Sequence, residues 1–122
     1  MWILNSDRPI YLQLMEEIQR RIITGTYQVG ERLPSVRELA EEASVNPNTM
    51  QKALSKLEED GLILTHRTSG RSVTEDANMI KLARNHLAQE QIIEFLEKMK
   101  LLGFEKQETL TLITKMLEEM KK

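Results

Sequence analysis

The sequence predicts a mainly α protein with one small β-hairpin: a winged helix-turn-helix followed by two further helices. Three observations predict it. Two short helical stretches, SVRELAEEA and PNTMQKALSKLEE, are separated by a turn of about three residues. Strand-like residues follow at once, Leu62-Ile63-Leu64 and then Val73, on either side of the turn formers Thr68-Ser69-Gly70. The last third of the chain repeats apolar residues at alternating spacings of three and four.

Size and composition fit this class. A chain of 122 residues makes one domain, or one domain with an appendage. Hydrophobic residues at 40% and charged residues at 30% describe a globular chain. Aromatics reach only 4%, so Leu, Ile, Val, Met and Ala must build the core. There is no cysteine, which excludes disulfides, thiolate zinc sites and thiol catalysis, and fits a reducing compartment. The N-terminal MWILNSDRP lacks the basic region of a signal peptide. No apolar run approaches the roughly 18 residues of a membrane span. The expectation is a soluble, cytoplasmic protein with no membrane partner.

The first helix is expected over about Arg8 to Thr24. Ile10, Leu14, Ile18 and Ile22 recur every four residues, and Tyr11 and Met15 widen the stripe. Ser6 or Asp7 can cap it, Pro9 suits its first turn, and Gly25 ends it. The segment TYQVGERLP then reads as a loop. Helix two opens on Ser35-Val36-Arg37-Glu38, a capping box, and ends near Ala43. Ser44 and Val45 form the tight turn. Helix three takes Asn46 as cap and Pro47 at its first position, buries Met50, Ala53, Leu54 and Leu57, and stops at Gly61. The wing spans Leu62 to Thr74.

The rest is helical. Ala88, Ile92, Phe95, Met99 and Leu102 form one seam, which Ile80, Ala83 and Leu87 extend backwards. Gly103 breaks the helix, and Leu110, Ile113, Leu117 and Met120 form a second seam. Two such helices cannot bury both faces alone, so a second copy of the chain is the expected partner. The dimerisation residues are expected to be Ile80, Leu87, Ile92, Phe95, Met99, Leu110, Ile113 and Leu117. The division is expected at 1–75 for the winged helix-turn-helix and 76–122 for the dimerisation tail.

Net charge is −2, which argues weakly against nucleic acid, but its distribution argues the other way. Ala43 to Leu57 holds Lys52 and Lys56 and no acid, and Gly61 to Thr74 holds His66, Arg67 and Arg71 and no acid. Packing the apolar stripe of helix three inward leaves Asn48, Thr49, Gln51, Lys52, Ser55 and Lys56 outward. Asn and Gln read adenine, Lys reaches guanine or phosphate, and the Thr methyl meets thymine. Free amides at the helix start are expected to favour a phosphate. The competing reading of Asn46-Pro47-Asn48-Thr49 is a well-capped helix start and nothing more. His66 and His86 have no metal-ligand partner at helical spacing, so no metal or cofactor is expected. No nucleophile elbow, phosphate loop or zinc signature is present, so nothing marks an enzyme. The four methionines of the tail (Met79, Met99, Met116 and Met120) suit an interface.

The run YLQLMEEIQRRIITGTYQVGERLPSVRELAEEASVNPNTMQKALSKLEEDGLI resembles the DNA-binding domain of the GntR family of bacterial transcriptional regulators. The segments GERLPSVRELA, VNPNT and LEEDGLI carry the resemblance, which covers roughly residues 9–73. The short two-helix tail is similar to that of the YtrA-type subfamily, in which the tail serves dimerisation. The resemblance implies a homodimeric, sequence-specific repressor binding double-stranded DNA. Its expected DNA-binding residues are Arg37, Asn46, Pro47, Asn48, Thr49, Gln51, Lys52, Lys56, Ser69, Gly70 and Arg71. Arg37 could instead pair with Glu41, and Arg32 could meet phosphate or pair with Glu31 or Glu38. This chain departs from the family pattern at Ser44, where glycine is usual, and at Thr68, where the wing tip usually has a glycine. A small-molecule effector would have only the tail helices to act on. The alternative is a winged-helix protein-interaction module.

Overall fold

The computed structural model describes residues 2–121. In chain order it contains α1 (Ile10–Ile23), α2 (Val36–Ala43), α3 (Pro47–Glu59), β1 (Ile63–His66), β2 (Gly70–Val73), α4 (Ala77–Leu101) and α5 (Lys106–Met120). It is mainly helical with a hairpin after α3, as expected. The chain divides into two compact units, Met1–Arg84 and Asn85–Lys122. The first unit takes in the start of α4, where Met79, Ile80 and Ala83 pack against its core.

That core gathers the stripes of the first three helices. Leu14 and Ile18 of α1, Leu39 of α2, and Met50, Ala53 and Leu57 of α3 have no exposed surface. Each large side chain among them contributes about 1.5–3 kcal/mol by leaving water. Leu62, Ile63 and Val73 close the core from the wing side. Gly61 ends the helix with φ +81, a conformation that L side chains rarely adopt, and a Cβ there would also push aside the Met79 sulfur 2.9 Å away.

The start of α1 differs from expectation. Its cap is Pro9, with no side-chain hydrogen bond, rather than Ser6 or Asp7. The chain before it is held from within the helix instead. Gln13, buried on the apolar stripe, donates to the carbonyls of Asn5 at 2.8 Å and Arg8 at 2.9 Å. Its side-chain oxygen accepts from the Asn5 amide at 2.9 Å. Further along α1, the Arg21 guanidinium lies 4.4 Å from the centre of the buried Trp2 ring. It also bonds Glu17 at 2.9 Å and the Tyr27 hydroxyl at 3.0 Å.

The capping box of α2 forms as read: the Glu38 amide donates to Ser35 Oγ and the Ser35 amide to Glu38 Oε1. That backbone amide, with the Ser35 hydroxyl, holds the Glu38 carboxyl below its ordinary pKa. The helix ends at Ser44, which lies in the left-handed region at φ 57, ψ 45.

The hairpin pairs Ile63 with Val73, Leu64 with Ser72, Thr65 with Arg71 and His66 with Gly70. The segment read as a loop adds to it. Leu33 donates to the Arg71 carbonyl and Val73 to the Glu31 carbonyl, both at 2.8 Å, with a bridge between Arg32 and Ser72. GERLP therefore runs along the edge of β2 until Pro34, which cannot continue the ladder.

In the second unit, α4 ends at Leu101 and α5 begins after Glu105. The Glu105 amide donates to Glu108 Oε1 at 3.1 Å, a cap that the sequence reading did not include. Leu87, Leu96, Met99, Phe104 and Ile113 are half-buried and Thr109 is buried. Ile92, Phe95, Leu110 and Leu117 remain 41–56% exposed. Among the described residues, no helix is long and apolar enough to cross a membrane.

Candidate nucleic-acid interface

The outward face of α3 begins with a closed tip. Asn46 is in extended geometry and its Oδ1 accepts from the Asn48 amide at 2.7 Å. Pro47 has no amide hydrogen, and the Thr49 amide bonds the Asn46 carbonyl at 3.0 Å. The expectation of free amides at this tip is therefore corrected at Asn48 and Thr49, whose amides are already bonded within the helix start. Asn48, Gln51, Lys52 and Lys56 are exposed, while Thr49 and Ser55 are half-buried.

Four of these side chains have partners. Gln51 Nε2 donates to Ser55 Oγ at 3.3 Å. Lys56 stands 3.8 Å from Glu59 on the same helix. The Lys52 ammonium lies 3.9 Å from the centre of the Tyr11 ring on α1. Tyr11 was expected only to widen an apolar stripe, and no local pattern links it to a lysine 41 positions on.

The arginines sort differently. Arg37 is exposed and forms no ion pair with Glu41 among the described residues. Arg32 forms none with Glu31 or Glu38: Glu31 accepts from the Gln28 amide and Glu38 from the Ser35 amide. Arg32 and Arg37 line one shallow notch together with Pro34, Ser35, Gly70 and Arg71. The fold thus brings the start of α2 beside the wing.

Arg71 is committed to α3. Its Nε donates to Glu58 Oε1 at 2.5 Å, and only 17% of the side chain is exposed. Partial burial pushes the Glu58 carboxyl up; hydrogen bonds from Thr65 and Arg71 and the Arg71 charge outweigh it and hold the pKa below its ordinary value. The acid that adjoins α3's acid-free stretch thus braces the wing. At the wing tip Arg67 is exposed, Ser69 is half-buried, and Gly70 is exposed with φ 84. His66 Nε2 meets Ser72 Oγ at 2.7 Å across the hairpin.

Of the expected dimerisation residues, Ile80 lies against the core of the first unit. Leu87, Met99 and Ile113 are half-buried in the second, and Ile92, Phe95, Leu110 and Leu117 are exposed there.

A capped helix-turn-helix with a wing braced on its second helix defines the class of winged helix-turn-helix DNA-binding transcriptional regulators. Residues 10–73 match the family described as "Bacterial regulatory proteins, gntR family", and the chain belongs to it. It is 38% identical over 105 residues to the uncharacterized HTH-type transcriptional regulator YhcF of Bacillus subtilis (strain 168), covering 86% of this chain and 87% of that one. It is 42% identical over 72 residues to the HTH-type transcriptional repressor YtrA of the same organism, covering 59% of this chain and 55% of that one. Among solved structures, a GntR family transcriptional regulator from Listeria monocytogenes superposes with a TM-score of 0.83 at 38% identity, covering 92% of this chain and 98% of that one.

Proposed function

We propose that the protein is a homodimeric repressor that reads a pseudo-palindromic operator in the bacterial cytoplasm. The observation that carries this reading is the outward face of α3, which presents amides, hydroxyls and amines from Asn46 to Lys56 without one carboxylate. Asn48, Thr49, Gln51 and Lys52 supply the base-reading set, and Asn46 and Pro47 shape the tip. Arg37, Lys56, Ser69 and Gly70 approach the backbone. Arg71 acts chiefly through its brace to Glu58. The exposed apolar residues of α4 and α5 supply the dimer contact, and two copies of α3 then lie about 34 Å apart, or a multiple of one DNA turn. Repression is the role named for YtrA, whose match covers 72 residues of this chain. A small-molecule effector would act by changing the spacing of the two heads.

Titrating the full chain against labelled duplex from its own promoter tests this. A dimer making about six to ten phosphate contacts loses roughly 10³–10⁵ in affinity between 50 and 200 mM salt. Absence of any complex at low salt would leave a protein-interaction module as the better account.

A further inference from the structure

We infer that Tyr11 is a positioning residue that turns Lys52 from the bases to the phosphate wall of the groove. The inference rests on α3 entering the major groove and reassigns one member of its reading set. Asn48, Lys52 and Ser55 stand at i, i+4 and i+7, opposite the buried Met50, Ala53, Leu54 and Leu57. By position alone, Lys52 belongs to the centre of the reading face. Its ammonium does not lie there, because it sits 3.9 Å from the centre of the Tyr11 ring, on the first turn of α1.

The Tyr11 ring is a firm support. It is half-buried and packs against the core of the first unit, so its position is set by the fold. The ring face attracts the ammonium, and the four-carbon stem lies down across the flank of α3. Lys52 has no ion pair among the described residues that would draw it elsewhere. The rotamer freedom that a free lysine surrenders on binding is therefore already surrendered.

Groove dimensions give the consequence. A helix with its side chains is about 10–12 Å across and the major groove is about 12 Å wide. Side chains at the centre of an inserted helix meet base edges, and those turned to a flank meet phosphates. A compact ammonium on a flank is a phosphate contact. Base reading then falls to Asn48, Thr49 and Gln51.

The test uses the full chain and two duplexes: one recovered by the wild type from a random library, and one of the same composition in shuffled order. Lys52→Met is expected to weaken both about 3- to 10-fold and to reduce the salt slope by about one. Tyr11→Phe, which keeps the ring, should stay within about twofold of wild type. Tyr11→Leu should lose as much as Lys52→Met, and the double variant no more than either. In NMR spectra the Lys52 ε-protons should be shifted upfield by the ring, and Tyr11→Leu should abolish the shift. Lys52→Met leaves the core untouched, so the inference stays testable even where Tyr11→Leu unfolds. A Lys52→Met loss confined to the recovered duplex, losses that multiply in the double variant, or an unshifted Lys52 in wild type would each overturn it. A wild type that binds neither duplex would instead overturn the DNA reading and the phosphate contact with it, while the ring shift would still decide whether Tyr11 holds the lysine.

Discussion

Ser44 occupies the one left-handed backbone position among the described residues that is not a glycine. An L-residue there costs about 1–2 kcal/mol, because its Cβ crowds the following carbonyl. Glycine removes that cost but gives back roughly 0.4–1 kcal/mol through its freer unfolded chain. Ser44→Gly is therefore expected to stabilise the protein by about 0.5 kcal/mol, and Ser44→Val to destabilise it by about 1–2 kcal/mol. Urea midpoints at constant slope measure both. A lowered midpoint for Ser44→Gly would show that the serine side chain stabilises the turn by more than its strain costs. At this scale the sequence was legible as a tight turn, and Asn46 and Pro47 were legible as the start of a helix, because capping is a matter of adjacent residues.

The α3–wing pair depends on Glu58 and Arg71, which lie 13 residues apart. The folded Glu58 pKa is depressed, so the unfolded state binds the proton more readily. The stabilisation is therefore fully present above the ordinary carboxylate value of 4.5 and is lost as pH falls through the lower folded value. Urea midpoints of the wild type should carry this loss below about pH 4.5, and Glu58→Gln should remove that part of the pH dependence. An unchanged acid limb in Glu58→Gln would assign the loss to other carboxylates. Helices and hairpin were legible because periodicity and turn residues are local signals. The brace, the pairing of residues 31–33 with β2, the Gln13 latch and the Tyr11–Lys52 contact were not, since each joins positions whose proximity only the folded chain creates. The candidate interface was accordingly legible as a set of exposed residues on α3, while the direction of Lys52 and the engagement of Arg71 arise only in the folded chain.

For the whole molecule, the second unit leaves a great deal of apolar surface in water. Ile92, Ile93, Leu102, Leu110, Met116 and Leu117 are each more than half exposed. Surface of that kind marks an interaction site. For the proposed dimer, Leu117→Glu combined with Ile92→Glu is expected to give monomers in sedimentation runs. Affinity for a duplex with two half-sites should then fall by roughly 10²–10⁴, with little change for a single half-site. Dimers that survive both substitutions would place the interface elsewhere.

The aromatic residues are divided between the two units in a way that has an optical consequence. The sole tryptophan and both tyrosines, at positions 2, 11 and 27, belong to the first unit, and the two phenylalanines, Phe95 and Phe104, to the second. Absorption at wavelengths beyond the phenylalanine band, and indole emission, therefore come from the first unit alone, with the Trp2 ring held beneath the Arg21 guanidinium as its reporter. Far-ultraviolet ellipticity sums the helices of both. Melting curves taken in the two spectral ranges coincide if the chain unfolds in one step and separate if the tail loosens first. The chain thus carries a fluorescent label confined to its DNA-binding half.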